Sequence, residues 1–413
     1  MKTSAKRFTA VLLSAIMLMS FAGCGNNNSK DENGDNFSVF EASEYNEDNL
    51  FKNGLTPFRL TSNDKMGYVD NTGKFIIEPK FKTAHDFAPN GLAAVEENGK
   101  WGYIDVSGNY VIKPTFGSAQ PFDENNTAQV FLDGYWGVID NKGNWIIPNE
   151  FTSVGNFNED GIAVMCKEIA NDNGEEIFLH GFIDRQGKEI VAPQFDEASD
   201  FVNGFSIVES GYRCGVVDSK GNLILETKFQ DISDFGKNGL AYAELPDEAG
   251  TGYIDKSGKF VFTLDAKTTY SGYPFNDNGV AVIYVSGMGK LINEKGEFIS
   301  QTSFNEITEF FGENGLTAVR TNDTNGYINA KGEFVITGDF TYNNFVNGYA
   351  RIKKDKKWGY IDAEGKAIIE PQFYKATDFG ADGFAIVAKE TSQEYVYTYA
   401  LINTSGEFII NFK

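Results

Sequence analysis

The sequence predicts an all-β protein assembled from tandem units, and three observations carry that expectation. One is a phrase that recurs along the chain: "GKWGYIDVSGNYVIKP" from Gly99, "GYWGVIDNKGNWIIPNE" from Gly134 and "KKWGYIDAEGKAIIEPQ" from Lys356. Another is its spacing. Asp or Asn stands at Asp70, Asp105, Asp140, Asp184, Asp218, Asp255, Asn293, Asn329, Asp362 and Asn403, and a Gly follows each three residues later. Successive positions lie 33 to 44 residues apart, about 37 on average, within the range of repeat architectures. The third is composition: 44 Gly, 36 Phe and 19 Tyr against 10 Pro in 413 residues, the mixture that short strands joined by glycine turns produce.

The chain begins with a stretch that reads as targeting rather than fold. Lys2, Lys6 and Arg7 precede the apolar run Phe8 to Ala22, a pattern shorter than a membrane span and typical of a secretory leader. Residues 1–23 are therefore expected to be a signal peptide. "FAGC", Phe21 to Cys24, resembles the lipobox of bacterial lipoproteins, with Phe21 where that family has Leu. The resemblance implies cleavage before Cys24 and a diacylglycerol on its thiol, hence an extracytoplasmic protein held at the bacterial cell surface by its lipid. Residues 24–39, rich in Asn, Asp and Gly, carry too little apolar surface to order themselves and are expected to form a flexible tether.

Residues 40–413 are expected to hold the whole array, with no second domain. Each unit reads as four phrases, here from the second: "PKFKTAHDF" with aromatics at Phe81 and Phe87, "NGLAAVE", "KWGYID" and a short apolar run such as "NYVI". "YIDVSGNYVI" places two β-rich runs around Asp105-Val106-Ser107-Gly108. Asp suits the first position of a type I turn, and Gly supplies the positive φ that follows, so a tight hairpin is expected. One carboxylate per turn is too few for a calcium loop.

Alternation assigns faces. Small residues at Ala93, Ala128, Ala163, Ser206, Ala241, Ala281, Thr317, Ala350 and Ala385 share a face with larger ones such as Val95, Val130, Met165 and Ile352. The fourth phrase centres on Ile or Val at Ile76, Val111, Ile146, Ile190, Ile224, Val261, Ile299, Val335, Ile368 and Ile409. A meander apolar on both faces must stack on its neighbours. The Gly before "YID" marks close approach of another group. Lys290 and Ala400 take that place in two units, and Lys290 predicts a locally opened contact or an edge. The Trp position holds Met66, Trp101, Trp136, His180, Cys214, Thr251, Gly289, Asn325, Trp358 and Tyr399, a list that suits a partly exposed packing site and not repeated catalysis.

These stretches, with the recurrent "FxxAxxFxxNGxA" between them, resemble the WG-containing repeat family of bacterial proteins over nearly all of residues 40–413. The resemblance implies all-β structure and supplies no catalytic residues. Ten units exceed the four to eight blades usual in a β-propeller, unit lengths vary, and no split first blade is visible. An open, superhelical, solenoid-like array of about ten antiparallel β-meanders is therefore expected, with a β-propeller as the alternative.

The formal charge of −22, or −25 once a leader with three cations and no acids is removed, disfavours nucleic acid as a partner. His85 and His180 have no metal-ligand spacing to a Cys, His or Glu, and no phosphate loop opens a helix. No catalytic residue, metal or cofactor is expected. Cys166 and Cys214 are expected to be buried free thiols. The function expected is a cell-surface binding or scaffolding module for protein or cell-wall polysaccharide. A carboxylate-dependent hydrolase and a passive structural spacer are the alternatives. Tyr270, Tyr273, Tyr395 and Tyr397 stand outside the repeat pattern and are candidate contacts.

Overall fold

The Asp-x-x-Gly turn builds each unit. In the computed structural model, which describes residues 50–60, 65–171, 173–308, 314–391 and 397–412, Asp105 Oδ1 accepts from the backbone N–H groups of Ser107 and Asn109 at 2.9 and 3.0 Å. Gly108 donates its N–H to the Asp105 carbonyl at 2.9 Å and takes φ +82°. The backbone N–H of Asn109 holds the Asp105 carboxyl below the ordinary carboxylate range. The same turn recurs at Asp140, Asp218 and Asp362, and with an amide oxygen at Asn293 and Asn403.

Ten antiparallel sheets result. In chain order they span Thr56–Phe81, Thr83–Phe116, Ser118–Phe151, Ser153–Phe195, Glu197–Phe229, Asp231–Thr263, Thr269–Asn293, Glu306–Gly338, Thr341–Phe373 and Lys375–Ile410, and are called blades 1 to 10. Most have four strands; blades 1 and 7 have three. Strands run in sequence order across each sheet, beginning in most blades with a strand of two residues. The fourth strand of blade 2 ends at Phe116, and one residue later Ser118 opens blade 3. Among the described residues the only helical turn is Pro246–Glu248.

The Gly before Tyr-Ile sits where the fourth strand bulges towards it. Trp101 pairs Phe116 and Tyr103 pairs Ile112, so one residue faces three. A Cβ on Gly102 would lie 2.6 Å from the Ile112 carbonyl oxygen and 2.7 Å from Pro114 N, so the close approach expected there is backbone of the adjacent strand. Where Lys290 replaces this Gly, the fourth strand is reduced to isolated bridges from Gly289 to Phe304 and from Ile292 to Phe298. That is the opened edge the sequence indicated.

Each blade packs face to face on the next. The small residues of the second strand, Ala93, Ala163, Ser206, Thr317 and Ala385 among them, are fully buried, as are Val95, Met165 and Ile352. The centre of the fourth phrase behaves differently. Val111 is the extra residue between the pairs Ile104–Tyr110 and Tyr103–Ile112, a bulge that turns it outward. Val111 is 46% exposed and Ile76 44%. The core position is one residue later, at Ile77, Ile112, Ile147, Leu225, Ile336, Ile369 and Ile410.

The open array is overturned: the chain closes into a ring, the propeller arrangement. Nine apolar clusters join successive blades, and a tenth joins Ile386, Tyr399, Leu401 and Ile410 of blade 10 to Leu50 and to Phe58 and Val69 of blade 1. The turn glycine of most blades rests on the preceding fourth strand: Gly108 on Ile77, Gly143 on Ile112, Gly406 on Ile369, and Gly73 of blade 1 on Ile410 of blade 10. Of the three features that favour an open form, the blade number of ten simply exceeds the usual range, and the other two have structural answers. Unequal unit lengths do not prevent closure, because the extra residues extend hairpins. The 44-residue step from Asp140 to Asp184 lengthens two strands of blade 4 to nine residues each. A shared sheet is not needed either. No sheet pairs strands from both ends of the described chain, and side-chain packing closes the ring.

Candidate functional site

The Trp-Gly motif lies within the fold's packing. Trp101 is half-buried with its ring 5.1 Å from that of His85. Trp136 packs on Phe131 at 5.6 Å, and the Arg351 guanidinium lies 5.2 Å from the Trp358 ring. The following Tyr is buried and ties blade to blade through its hydroxyl. Tyr68 donates to the His85 carbonyl at 2.7 Å, Tyr103 to Gln120 at 2.8 Å, Tyr253 to Tyr273 at 2.7 Å and Tyr360 to Thr377 at 2.8 Å. Burial pushes the phenols of these tyrosines up.

The aromatics singled out by sequence divide. Tyr273 is half-buried, its ring edge-on to Tyr284 at 6.1 Å, and its carbonyl takes the Tyr253 hydroxyl; it fills an irregular blade. Tyr397 meets Tyr374 at 5.1 Å and carries the Lys375 ammonium 4.6 Å over its ring. Tyr270 lies in the first strand of blade 7. Tyr395, Cys24, the leader and the tether lie outside the described residues.

Burial lowers His85 to about 4. His180 sits at the rim, Nδ1 3.0 Å from the Asp196 carbonyl and Nε2 3.9 Å from Glu197. Cys166 and Cys214 are free and buried, and burial raises the Cys166 thiol to about 11. Among the described residues no group of three or more His, Cys, Asp or Glu side chains could hold a metal ion.

A concavity of about 420 Å³ is an open groove across blades 3 and 4 lined by Tyr135, Asn149, Glu150, Glu168, Ile169, Ala170 and Glu176. The Glu168 carboxyl is raised by its hydrogen bond to Glu176. Lys167 bridges Glu150 and Glu189 at 3.3 and 2.9 Å on the flank. Glycoside hydrolysis places its pair about 5 Å or more apart, with room for a sugar between them.

Sequence reasoning missed the hairpin tips between second and third strands. Five blades make a two-residue turn with both residues at positive φ: Asn98-Gly99, Asp133-Gly134, Gly211-Tyr212, Ser286-Gly287 and Asp355-Lys356. Gly fills the second position in three. In blade 5 it is Tyr212, at φ +62° and 81% exposed, and in blade 9 it is Lys356, at φ +63°. Left-handed backbone is unfavourable for both residues, so local folding preference does not select them. The signal was available as a break in register: "NG" and "DG" tips give way to "GY" and "DK".

A family model described as WG containing repeat matches residues 66–101, 101–136, 136–168, 181–214, 215–245, 291–324, 326–358 and 358–390. Matched units start in the strand that carries the Trp-Gly position of one blade and end in or between the two central strands of the next, so the sequence repeat straddles the structural one. No curated protein sequence matches the chain. Among solved structures, "Crystal structure of the eukaryotic initiation factor" is similar at a TM-score of 0.53 and 9% identity, covering 78% of this chain and 94% of that one. Dihydro-heme d1 dehydrogenase NirN in complex with DHE aligns at 0.37 and 11%, covering 90% and 77%. The first likeness speaks to the fold alone.

Proposed function

Since the chain belongs to the WG containing repeat family and carries its motif inside the packing of a ten-bladed ring, we propose that it is a binding or scaffolding module at the bacterial cell surface, anchored by a lipid on Cys24. The protein is not an enzyme in this reading and uses no metal or cofactor. Its partner is a protein or cell-wall polysaccharide presented to one face of the ring. Nucleic acid is disfavoured by the charge of −22. The observation that supports the reading is Tyr212. A large aromatic stands 81% exposed on a tip whose φ of +62° favours glycine. A passive spacer gains nothing from that residue, whereas aromatic side chains are enriched at recognition surfaces.

In-cell photocrosslinking tests the reading. A crosslinker at Tyr212 is expected to capture a partner that one at Gly99 does not. Tyr212→Gly is expected to raise thermal stability while lowering capture. Equal capture from both tips favours the spacer. Anchoring is tested by labelling with a fatty acid, which Cys24→Ser should abolish.

A further inference from the structure

Blade 9 is charged unlike the rest of the molecule. Arg351 to Lys357, "RIKKDKK", holds five cations and one acid in a chain of net charge −22. Arg351 is buried, its guanidinium paired with Asp378 at 2.6 Å and donating to the Ala376 carbonyl at 2.7 Å. The lysines remain at the surface: Lys354 and Lys356 are exposed, and Lys353 and Lys357 half-buried.

Two features of this tip oppose folding. Lys354 and Lys357 face each other directly across the hairpin, and like charges in that relation destabilise a strand pair. The equivalent pair in blade 2 is Glu97 and Lys100, of opposite sign. Between the two lysines, Lys356 occupies left-handed backbone where blades 2, 3 and 7 place Gly99, Gly134 and Gly287.

The ammonium groups are also held in place. Lys353 lies 5.0 Å from the Trp358 ring centre, Lys354 5.3 Å from Phe340, Lys357 5.0 Å from Tyr374 and Lys375 4.6 Å from Tyr397. Tyr374 and Tyr397 touch, so Lys357, Tyr374, Tyr397 and Lys375 form one continuous patch from blade 9 into blade 10. Among the described residues the acids beside it include Asp355 at the tip, Asp339, 3.5 Å from Lys354, and Glu390, opposite Tyr397 across the strands. Cation–π contact positions each charge over a ring. Lys, unlike Arg, is a compact point charge that accepts anions from many directions, which suits a repeating anion without fixed register. The aromatic faces between the charges suit sugar or polyol rings.

We propose that this lysine–aromatic patch, Lys353, Lys354, Lys356, Lys357 and Lys375 with Trp358, Tyr374 and Tyr397, is a binding site for a linear anionic wall polymer carrying carboxylate or phosphodiester groups. The proposal rests on the binding-module reading above and names its ligand class. The attraction is local, because the acidic remainder of the ring is screened beyond about 8 Å at physiological ionic strength.

The test measures retention of the full chain on polygalacturonate, poly(glycerol phosphate) and neutral dextran, with Lys356→Gly and Lys357→Glu as variants. Lys356→Gly relieves the backbone and Lys357→Glu pairs with Lys354, so both are expected to keep or raise the unfolding midpoint. Each should weaken retention on an anionic polymer at least threefold, and together at least tenfold, with the wild-type affinity falling as salt rises. The two anionic arms identify whether carboxylate or phosphodiester is preferred. Failure of the wild type to bind either, or equal binding by the variants, overturns the proposal. So does a salt-sensitive oligomer of the wild type that Lys357→Glu dissolves while neither polymer binds, which assigns the patch to a second copy. If purified wall retains wild type and variants alike, this site fails and the binding module stands. If wall retains neither but the lysines still bind the polymers, the site stands and the wall reading fails.

Discussion

Blade 1 has two neighbours, and it meets them in different ways. Towards blade 2 the chain runs on through Lys82, the Tyr68 hydroxyl reaches the His85 carbonyl at 2.7 Å, and the Gly108 turn rests on Ile77. Towards blade 10 no chain connects the two. Leu401 stands where Tyr68, Tyr103 and Tyr360 stand in other blades, so this position supplies no hydroxyl. The apolar cluster and the glycine turn remain, with Gly73 on Ile410. Two local contacts are added: the Phe51 N–H donates to the Asp382 carboxylate at 2.8 Å, and the Phe51 ring packs edge-on to Phe384 at 5.1 Å. Shape complementarity of the repeated face is thus sufficient to close the ring, and strand sharing is dispensable.

The largest effect should separate these two interfaces. Ile410→Ala and Ile77→Ala each remove a buried side chain and should each cost about 2–5 kcal/mol. Only Ile410→Ala is expected to open the ring, because the chain holds blades 1 and 2 together in either case. Hydrogen exchange should show blades 1 and 10 deprotected in Ile410→Ala with blades 4 to 7 unchanged, and scattering should show a larger radius of gyration. Equal behaviour of both variants would break the comparison.

Next in size is a glycine pair. Gly73→Ala places a Cβ 2.6 Å from Ile410 Cγ1 at φ +80°, while Gly99→Ala meets nothing within 4 Å at φ +76°. The backbone penalty alone should make Gly99→Ala cost about 1 kcal/mol. The added clash should bring Gly73→Ala to roughly 2–3 kcal/mol, read from denaturant midpoints. Tyr68→Phe should cost about 1 kcal/mol on the linked side, the net worth of one hydrogen bond. It should leave the exchange protection of blade 10 unchanged.

The smallest expected effect is a compensation at the linked interface. Burial pushes Asp86 up from 3.8 to about 6 and His85 down from 6.5 to about 4. Between pH 4 and 6 the folded state binds more protons than the unfolded at Asp86, so that contribution falls as pH rises. At His85 the unfolded state binds more between about pH 4 and 6.5, so that contribution grows as pH rises. The two slopes oppose, so this pair together should add little to the pH dependence of the wild type. His85→Gln should expose a stability that declines from pH 4 to 6, and Asp86→Asn one that climbs from pH 4 to 6.5. Parallel melting profiles for both variants would remove the account.

Legibility differed along the unit. The Asp-x-x-Gly hairpin was readable because Asp105 and Gly108 act through bonds within four residues. The small second-strand positions were readable because alternation is a local property. The core position of the fourth strand was displaced by one, from Val111 to Ile112, because a bulge shifts the period without leaving a composition signal. The candidate surfaces were the least legible. Tyr273 looked exceptional and packs inside, whereas Tyr212 and Lys356 looked ordinary and stand on strained tips.

The sequence by itself determined that this protein is all-β, built from ten like units, each a meander with a fixed turn. Those features follow from bonds and periods that close within one unit. Only the tertiary structure decided that the units form a ring, because closure depends on the small rotation between blades summed ten times, which no single unit encodes. It also decided that Lys357, Tyr374, Tyr397 and Lys375 are neighbours. Their meeting needs a corner between two sheets, and chain order does not reveal which side chains such a corner brings together.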